Sequence, residues 1–420
     1  MKKYYKRIVE DKINRKLRTS GAVLVTGPKY SGKTTTCMPL QKSNISLIDN
    51  EIIEIVAADP KIALSGEFPR LIDEWQNVPN LWNLVRQEVD KNGTLGEYIL
   101  TGSSTPTDSN QIHHTGAGRI STVKMRPLSL YESHDSTGLV SLKDLFNSKD
   151  YTFFDQNEKY SLEDTAFYIC RGGWPQSIVS NKDDALEITK NYYDGLFNFR
   201  SSGNQDIKNK RPELFKNILR SYARNISTEA SYSVIMEDLR NSSIGIDAKT
   251  FNTYLDIAKD LFIIEDIDAW MPNLRSKTAI RTTPTRHFVD TSIACRALYT
   301  SPKDILNDAK TFGLLFEDLA IRDLKIYSDA IDGTVKHYRD KNDLEVDAII
   351  HLDDGRWGAI EIKLGSPQGI ADGIKNLLKL EASIAEDFKK PAFKMVLTAC
   401  GKAYKTSEGV YVCPINLLKN

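Results

Sequence analysis

The sequence predicts an α/β protein: a parallel sheet covered by helices at the N-terminal end, a mostly helical middle, and a second α/β unit at the C-terminal end. Three observations carry this. Short apolar runs at Ala22–Val25, Ser46–Ile48, Leu71–Ile72, Tyr98–Leu100 and Thr122–Met125 alternate with helical patterns, the clearest at Leu81, Leu84, Val85 and Val89. Such alternation implies parallel strands buried on both faces. Helix-period segments then dominate to about residue 300. Strand patterns return at Val335–Arg339, Val346–His351, Gly358–Lys363 and Lys394–Leu397, with helices expected at Gly313–Ser328 and Ile374–Ala385. A chain of 420 residues, 40% hydrophobic, has enough apolar material for two or three cores.

The first segment is basic, and Val9, Ile13 and Leu17 fall four apart, an apolar stripe that packs a surface helix on the next domain. After the run Ala22–Val25 comes Gly27-Pro28-Lys29-Tyr30-Ser31-Gly32-Lys33-Thr34, followed by Thr35 and a helical stretch. This is G-x-x-x-x-G-K-[ST] in a strand–loop–helix setting. The glycines let the backbone curl so that its N–H groups face phosphates. Lys33 would neutralise charge on the β/γ-phosphates, Thr34 would hold Mg²⁺, and the helix start would add positive partial charge. A glycine-rich turn with no ligand would not explain Lys33-Thr34.

Asp73 and Glu74 emerge at the end of the short run Leu71–Ile72, the edge at which ligands sit in open α/β sheets. Asp73 would complete the metal's shell and Glu74 would orient the attacking water. In Leu100-Thr101-Gly102-Ser103-Ser104, Ser103 would bond the γ-phosphate or the water, or belong to a plain turn. Arg119, after Gly116-Ala117-Gly118, would reach a γ-phosphate in its own or a neighbouring subunit, or be a surface arginine.

Farther on, Leu214–Tyr222, Val234–Leu239 and Phe251–Asp260 read as three helices. Two apolar runs, Leu261–Ile264 and His287–Val289, flank a stretch, Met271–Arg286, with four basic and no acidic residues. This is the layout of a winged helix with a basic tip for nucleic acid. In the last unit, Asp347 lies on one strand and Glu361 and Lys363 on the next, each pair of alternate residues sharing a face. In a hairpin the three would converge, the carboxylates on Mg²⁺ and Lys363 on a phosphate, with Glu317 as an extra ligand. The alternative is a solvated face of alternating charge.

Composition sets limits. Fifty-six basic residues against 56 acidic ones exclude a uniformly basic coat. No uncharged apolar run approaches the ~18 residues of a membrane helix, and the charged stretch Met1–Lys12 is no secretory signal. Five cysteines without a C-x-x-C pair fit a reducing cytoplasm, with Cys400 and Cys413 as buried thiols. His113-His114 reads as loop, and the five tryptophans as core.

The N-terminal motifs, with Leu-Ile-Asp-Glu-Trp-Gln (71–76), Leu-Thr-Gly-Ser-Ser (100–104), Gly-Arg (118–119) and Arg-Pro-Leu-Ser-Leu (126–130), resemble AAA+-like P-loop ATPases of the AAA_14 class. Arg-Gly-Gly-Trp-Pro (171–175), Phe-Val-Asp-Thr (288–291) and Glu-Val-Asp…Glu-Ile-Lys (345–363) resemble the DUF4143 region that follows such domains. The resemblance implies an α/β chain with a P-loop NTPase parallel sheet (ASCE type, strand order 5-1-4-3-2), then a winged-helix domain, then a PD-(D/E)XK, restriction-endonuclease-like α/β domain. The expected boundaries are 1–136 for the ATPase, 137–210 for a helical lid or linker, 211–305 for the winged helix and 306–420 for the nuclease-like unit. The expected function is Mg²⁺-dependent ATP hydrolysis coupled to nucleic-acid binding or cleavage, with double-stranded DNA, a partner protein or a second copy as partners. The alternative is an ATP-switched DNA-binding or protein-interaction module whose nuclease-like fold does no chemistry.

Overall fold

The computed structural model describes residues 4–102, 115–148, 151–155, 160–198, 210–242, 244–272, 282–384 and 388–420. Contacts group the chain into two units: Met1–Pro127 with Asn198–Lys210 and Asp256–Phe262, and Leu128–Phe197 with Arg211–Leu255 and Ile263–Asn420.

Unit 1 is built on β1 (Ala22–Thr26), β2 (Ser43–Ser46), β3 (Arg70–Asp73), β4 (Tyr98–Gly102) and β5 (Ile120–Lys124). All pair in parallel in the order β2-β3-β4-β1-β5, the order that the resemblance implies. Strand alternation sends successive residues to opposite faces. Ala22, Leu24, Ile72, Tyr98 and Leu100 join one core with Trp75, Trp82, Val85 and Val89. Val23, Val25, Leu71, Ile99 and Val123 join another with Ile13 and Leu17. The helices supplying these layers are α1 (Val9–Leu17), α2 (Lys33–Cys37), α3 (Asn50–Ala58), α4 (Lys61–Leu64) and α5 (Leu81–Asn92). The stripe Val9, Ile13, Leu17 therefore packs α1 on the sheet as expected.

One strand differs from expectation. β2 runs Ser43–Ser46 and not Ser46–Ile48. It is the edge strand, so its side chains need not be apolar. Asp49 already caps α3 by accepting from the Glu51 N–H, which leaves Leu47 and Ile48 for the turn into the helix.

Unit 2 opens with β6 (Val140–Ser141), then α6 (Leu142–Asn147), α7 (Leu162–Arg171), α8 (Pro175–Ile178) and α9 (Lys182–Gly195). Next come α10 (Pro212–Arg224), α11 (Tyr232–Asn241) and α12 (Ala248–Asp260, whose residues from Asp256 on group with unit 1), the three expected helices, and α13 (Thr291–Leu298), α14 (Pro302–Asn307) and α15 (Ala309–Ala330). A six-stranded sheet follows, of order β11-β12-β10-β9-β8-β7. Its strands are β7 (Gly333–Arg339), β8 (Glu345–Leu352), β9 (Trp357–Lys363), β10 (Lys394–Thr398), β11 (Tyr404–Lys405) and β12 (Tyr411–Pro414). β7-β8-β9 form an antiparallel meander; α16 (Pro367–Ser383) then crosses over so that β10 runs parallel to β9. The last strand, β13 (Leu418–Lys419), returns to β6.

Within this unit, buried polar groups tie together segments on either side of the expected borders. Asp290, before α13, accepts from the Gly173 N–H (2.8 Å), from Arg322 Nη1 on α15 (2.9 Å) and from Ser292. Arg322 also bonds Asp323, whose other oxygen accepts from the Leu130 N–H (2.9 Å). Asp318 accepts from His287 Nδ1 and the Phe288 N–H, both at 3.0 Å, and from Thr291. All four charged side chains are buried. From Leu315 to Ser328 α15 is buried almost all round, its polar side chains met by protein partners. The five tryptophans are buried, as is Cys413; Cys400 is half-buried. No helix among the described residues is long and apolar enough to cross a membrane.

Candidate active site

The loop after β1 has the backbone that its glycines permit. Gly27 has φ 153°, Tyr30 62° and Gly32 91°. A Cβ at Gly27 would lie 2.1 Å from the Met125 carbonyl oxygen, so no other residue fits there. Gly32, left-handed, starts α2, which Pro39 turns into a 3₁₀ turn after Cys37.

Lys33 is buried, and its ammonium donates to the carbonyls of Gly27 (3.0 Å) and Pro28 (2.9 Å). Burial lowers its pKa to about 8, against the pull of Glu74 and then Asp73. Ser31, fully buried, closes the turn onto the Pro28 carbonyl (2.9 Å), whereas Lys29, Tyr30 and Thr35 are exposed.

Asp73, at the end of β3, is buried and receives the Thr34 hydroxyl on Oδ1 at 2.7 Å. Thr101, its register partner on β4, donates to the same oxygen, and Ser46 of β2 to Oδ2 at 3.3 Å. The structure thus joins Lys33, Thr34 and Asp73 at the carboxyl edge of the sheet. Glu74 follows at φ 55°, with Gln76 donating to its Oε2.

Of the other expected residues, Ser103 lies outside the described residues, as do His113 and His114, and Arg119 is placed elsewhere. Arg119 precedes β5, and β5 is parallel to β1, with Ile120 opposite Ala22 and Lys124 opposite Thr26. Arg119 therefore sits at the amino edge, a strand's length from the loop, where it pairs with Asp90 at 2.7 Å. It does not reach a phosphate held by its own loop.

One residue was not visible as functional in the sequence. Arg7, buried, donates to the carbonyls of Ser31 (2.9 Å) and Arg126 (2.7 Å), and its own N–H is held by Glu10. It fastens the phosphate loop to the segment after β5. An arginine ahead of an amphipathic helix gives no signal of this.

In unit 2, Asp347, Glu361 and Lys363 converge across β8 and β9. Lys363 Nζ lies 3.0 Å from Asp347 and 2.6 Å from Glu361, and Asp347 also takes the Ile362 N–H. Asn376 donates to Glu361 at 3.3 Å. Burial, then the Asp347 charge, raises the Glu361 pKa to about 8, with Lys363 opposing. Burial acts downward on Lys363, but Asp347 and then Glu361 carry its pKa up. Burial and then Asp347 raise Glu317 well above the carboxylate range. The ammonium stands where the two carboxylates were expected to hold metal, and no group of three or more His, Cys, Asp or Glu among the described residues is arranged around a metal position.

The expected basic tip is also altered. Arg286 is buried: it pairs with Asp266 at 2.6 Å and lies over the Tyr232 ring. The other three basic residues of the stretch, Arg275, Lys277 and Arg281, lie outside the described residues. Among the described residues, the segments on either side of the tip pair in isolated bridges, Ile264 with Phe288 and Ile267 with Thr285.

A five-stranded parallel sheet with this order, a glycine-bracketed loop after its central β1 and a carboxylate after β3 defines a P-loop NTPase fold. One family match agrees with that class. Residues 19–134 match an AAA domain, residues 162–304 the domain of unknown function DUF8612, and residues 312–418 the domain of unknown function DUF4143. The chain is similar to the uncharacterized proteins Mb2031c of Mycobacterium bovis and Rv2008c of Mycobacterium tuberculosis, each 22% identical over 87% of this chain and 76% of the relative. It is also similar to the solved Walker-type ATPase PABY2304 of Pyrococcus abyssi, at 17% identity, covering 70% of this chain and 96% of that one, with a TM-score of 0.43. The AAA match and the loop together support an ATP-binding ATPase.

Proposed function

We propose that unit 1 binds ATP with Mg²⁺ and hydrolyses it. The observation that carries this is the Thr34 hydroxyl on the Asp73 carboxylate beside the Lys33 ammonium. The hydroxyl and the carboxylate are oxygen donors of the kind a hard cation takes. Thr34 would hold Mg²⁺ and Asp73 its outer shell; the ion would neutralise phosphate charge. Lys33 would stabilise the charge that builds on the leaving β–γ oxygen. Glu74 would accept a proton from water as the water oxygen bonds to the γ-phosphorus and the bond to ADP breaks.

The test is calorimetry of Mg·ATP. Lys33→Ala should weaken binding by about 10- to 100-fold, the worth of a charged hydrogen bond. A bound phosphate favours protonated Lys33, so wild-type affinity should be full below pH 8 and fall as pH rises above it. Lys33→Arg should be weaker but flat over that range. Unchanged affinity in Lys33→Ala would remove the reading.

A second reading concerns unit 2. It is metal-assisted phosphodiester cleavage, in which a divalent ion would displace the Lys363 ammonium from between Asp347 and Glu361; the convergence of the three supports it. Plasmid incubated with Mg²⁺ or Mn²⁺ should be cut by the wild type and spared by Asp347→Ala. Equal behaviour of the two would remove the cleavage reading.

A further inference from the structure

Gln76 has no part in the reading above, yet it is built into the site. The 3₁₀ turn Trp75–Asn77 follows directly on Glu74 and folds the Gln76 side chain back onto it. Its Nε2 donates to Glu74 Oε2. Gln76 is 5% exposed, and its Oε1 is buried with no hydrogen-bond partner among the described residues. That oxygen abuts the end of β4: a Cβ on Gly102 would come within 2.8 Å of it and 3.0 Å of Trp75 Nε1. Gln76 is thus wedged between Glu74 and the carboxyl edge of β4.

A residue chosen only to fill this space would be apolar. Leucine has nearly the same volume and would bury no unpaired oxygen, which costs about 1–3 kcal/mol. Glu74 itself holds a left-handed backbone that a non-glycine residue adopts only when its surroundings impose it. Two unfavourable features side by side, joined by one hydrogen bond to a carboxylate, mark a spot where geometry outranks stability.

We propose that Gln76 is a positioning residue for ATP hydrolysis: by holding one Glu74 oxygen it fixes the direction in which the carboxylate meets the attacking water. This rests on Glu74 as the base. Gln76 touches neither nucleotide nor metal in this role, so nucleotide affinity does not depend on it, whereas proton transfer, sensitive to ångström-scale placement, does.

The experiment uses the full chain with Mg·ATP. Gln76→Leu, which keeps the volume, and Gln76→Ala should each lower kcat by about 10- to 100-fold, one charge-assisted hydrogen bond's worth, with nucleotide Kd within twofold of wild type. In single-turnover measurements, adding Gln76→Leu to Glu74→Ala should cost nothing more, because the residue acts only through Glu74. Melting curves of the leucine variant check that it folds. Wild-type kcat in Gln76→Leu, loss of nucleotide affinity alongside kcat, or an equal loss in the Glu74→Ala background would each overturn the proposal. Full activity in Glu74→Ala alone would instead remove the base assignment, so the two failures are distinct.

Discussion

Glu74→Gln is expected to retain Mg·ATP and lose turnover. The substitution keeps the size of the side chain and removes only its ability to take a proton. General-base catalysis contributes about 10²- to 10⁴-fold, so steady-state phosphate release should fall by that factor. Binding should persist because the groups assigned to it are elsewhere: the loop amides after Gly27, the Lys33 ammonium held on the Gly27 and Pro28 carbonyls, and Thr34 on Asp73. The Gln76 amide that donates to Glu74 meets an amide oxygen in the variant, so the turn has a partner to keep. Phosphate release and calorimetry on the same preparation separate the two properties. Turnover within tenfold of wild type would show that another group, or the phosphate itself, takes the proton.

What the sequence revealed about this site depended on how far apart the participants lie. The phosphate loop was legible because its motif is contiguous: the glycines, Lys33 and Thr34 all sit between Gly27 and Thr34. Asp73 and Glu74 were legible because a buried strand in a parallel sheet must end at the ligand edge. The same rule places Arg119. A residue just before a strand parallel to β1 stands at the amino edge, so its distance from the loop follows from the sheet once its direction is known. Arg7 was not legible, since its partners, two backbone carbonyls, carry no side-chain pattern. Arg286 was misleading for a related reason: counting charge along Met271–Arg286 ignores Asp266 on the facing run, which neutralises it. Asp347, Glu361 and Lys363 came together because strand alternation fixes a shared face and the hairpin fixes adjacency.

Asp290→Ala should damage unit 2 more than any surface change. Three motifs that carry the family resemblance meet at or beside this carboxylate. Gly173, from Arg-Gly-Gly-Trp-Pro, gives it an N–H; Ser292, hydrogen-bonded by Trp174 Nε1 at 3.0 Å, gives it an N–H and a hydroxyl; Arg322 gives it a guanidinium nitrogen. Leu128, from Arg-Pro-Leu-Ser-Leu, presses so close that a Cβ on Gly173 would be 2.1 Å from its carbonyl oxygen. The glycines at 172 and 173 and the aspartate are therefore explained by packing. Removing the carboxylate leaves Arg322 with Asp323 as its acid partner and takes the Gly173 N–H's acceptor from a buried site. Breaking a buried pair on one side costs about 3–5 kcal/mol. Asp290→Asn, which preserves shape and one acceptor but loses the charge, should cost less. Hydrogen exchange gives the direct reading: the amides of Gly173 and Ser292 should lose protection in Asp290→Ala, together with the segments 171–175 and 288–292. If those amides exchange as slowly as in the wild type, the carboxylate is not what holds these segments together, and their sequence pattern must be explained by contact with something outside this chain.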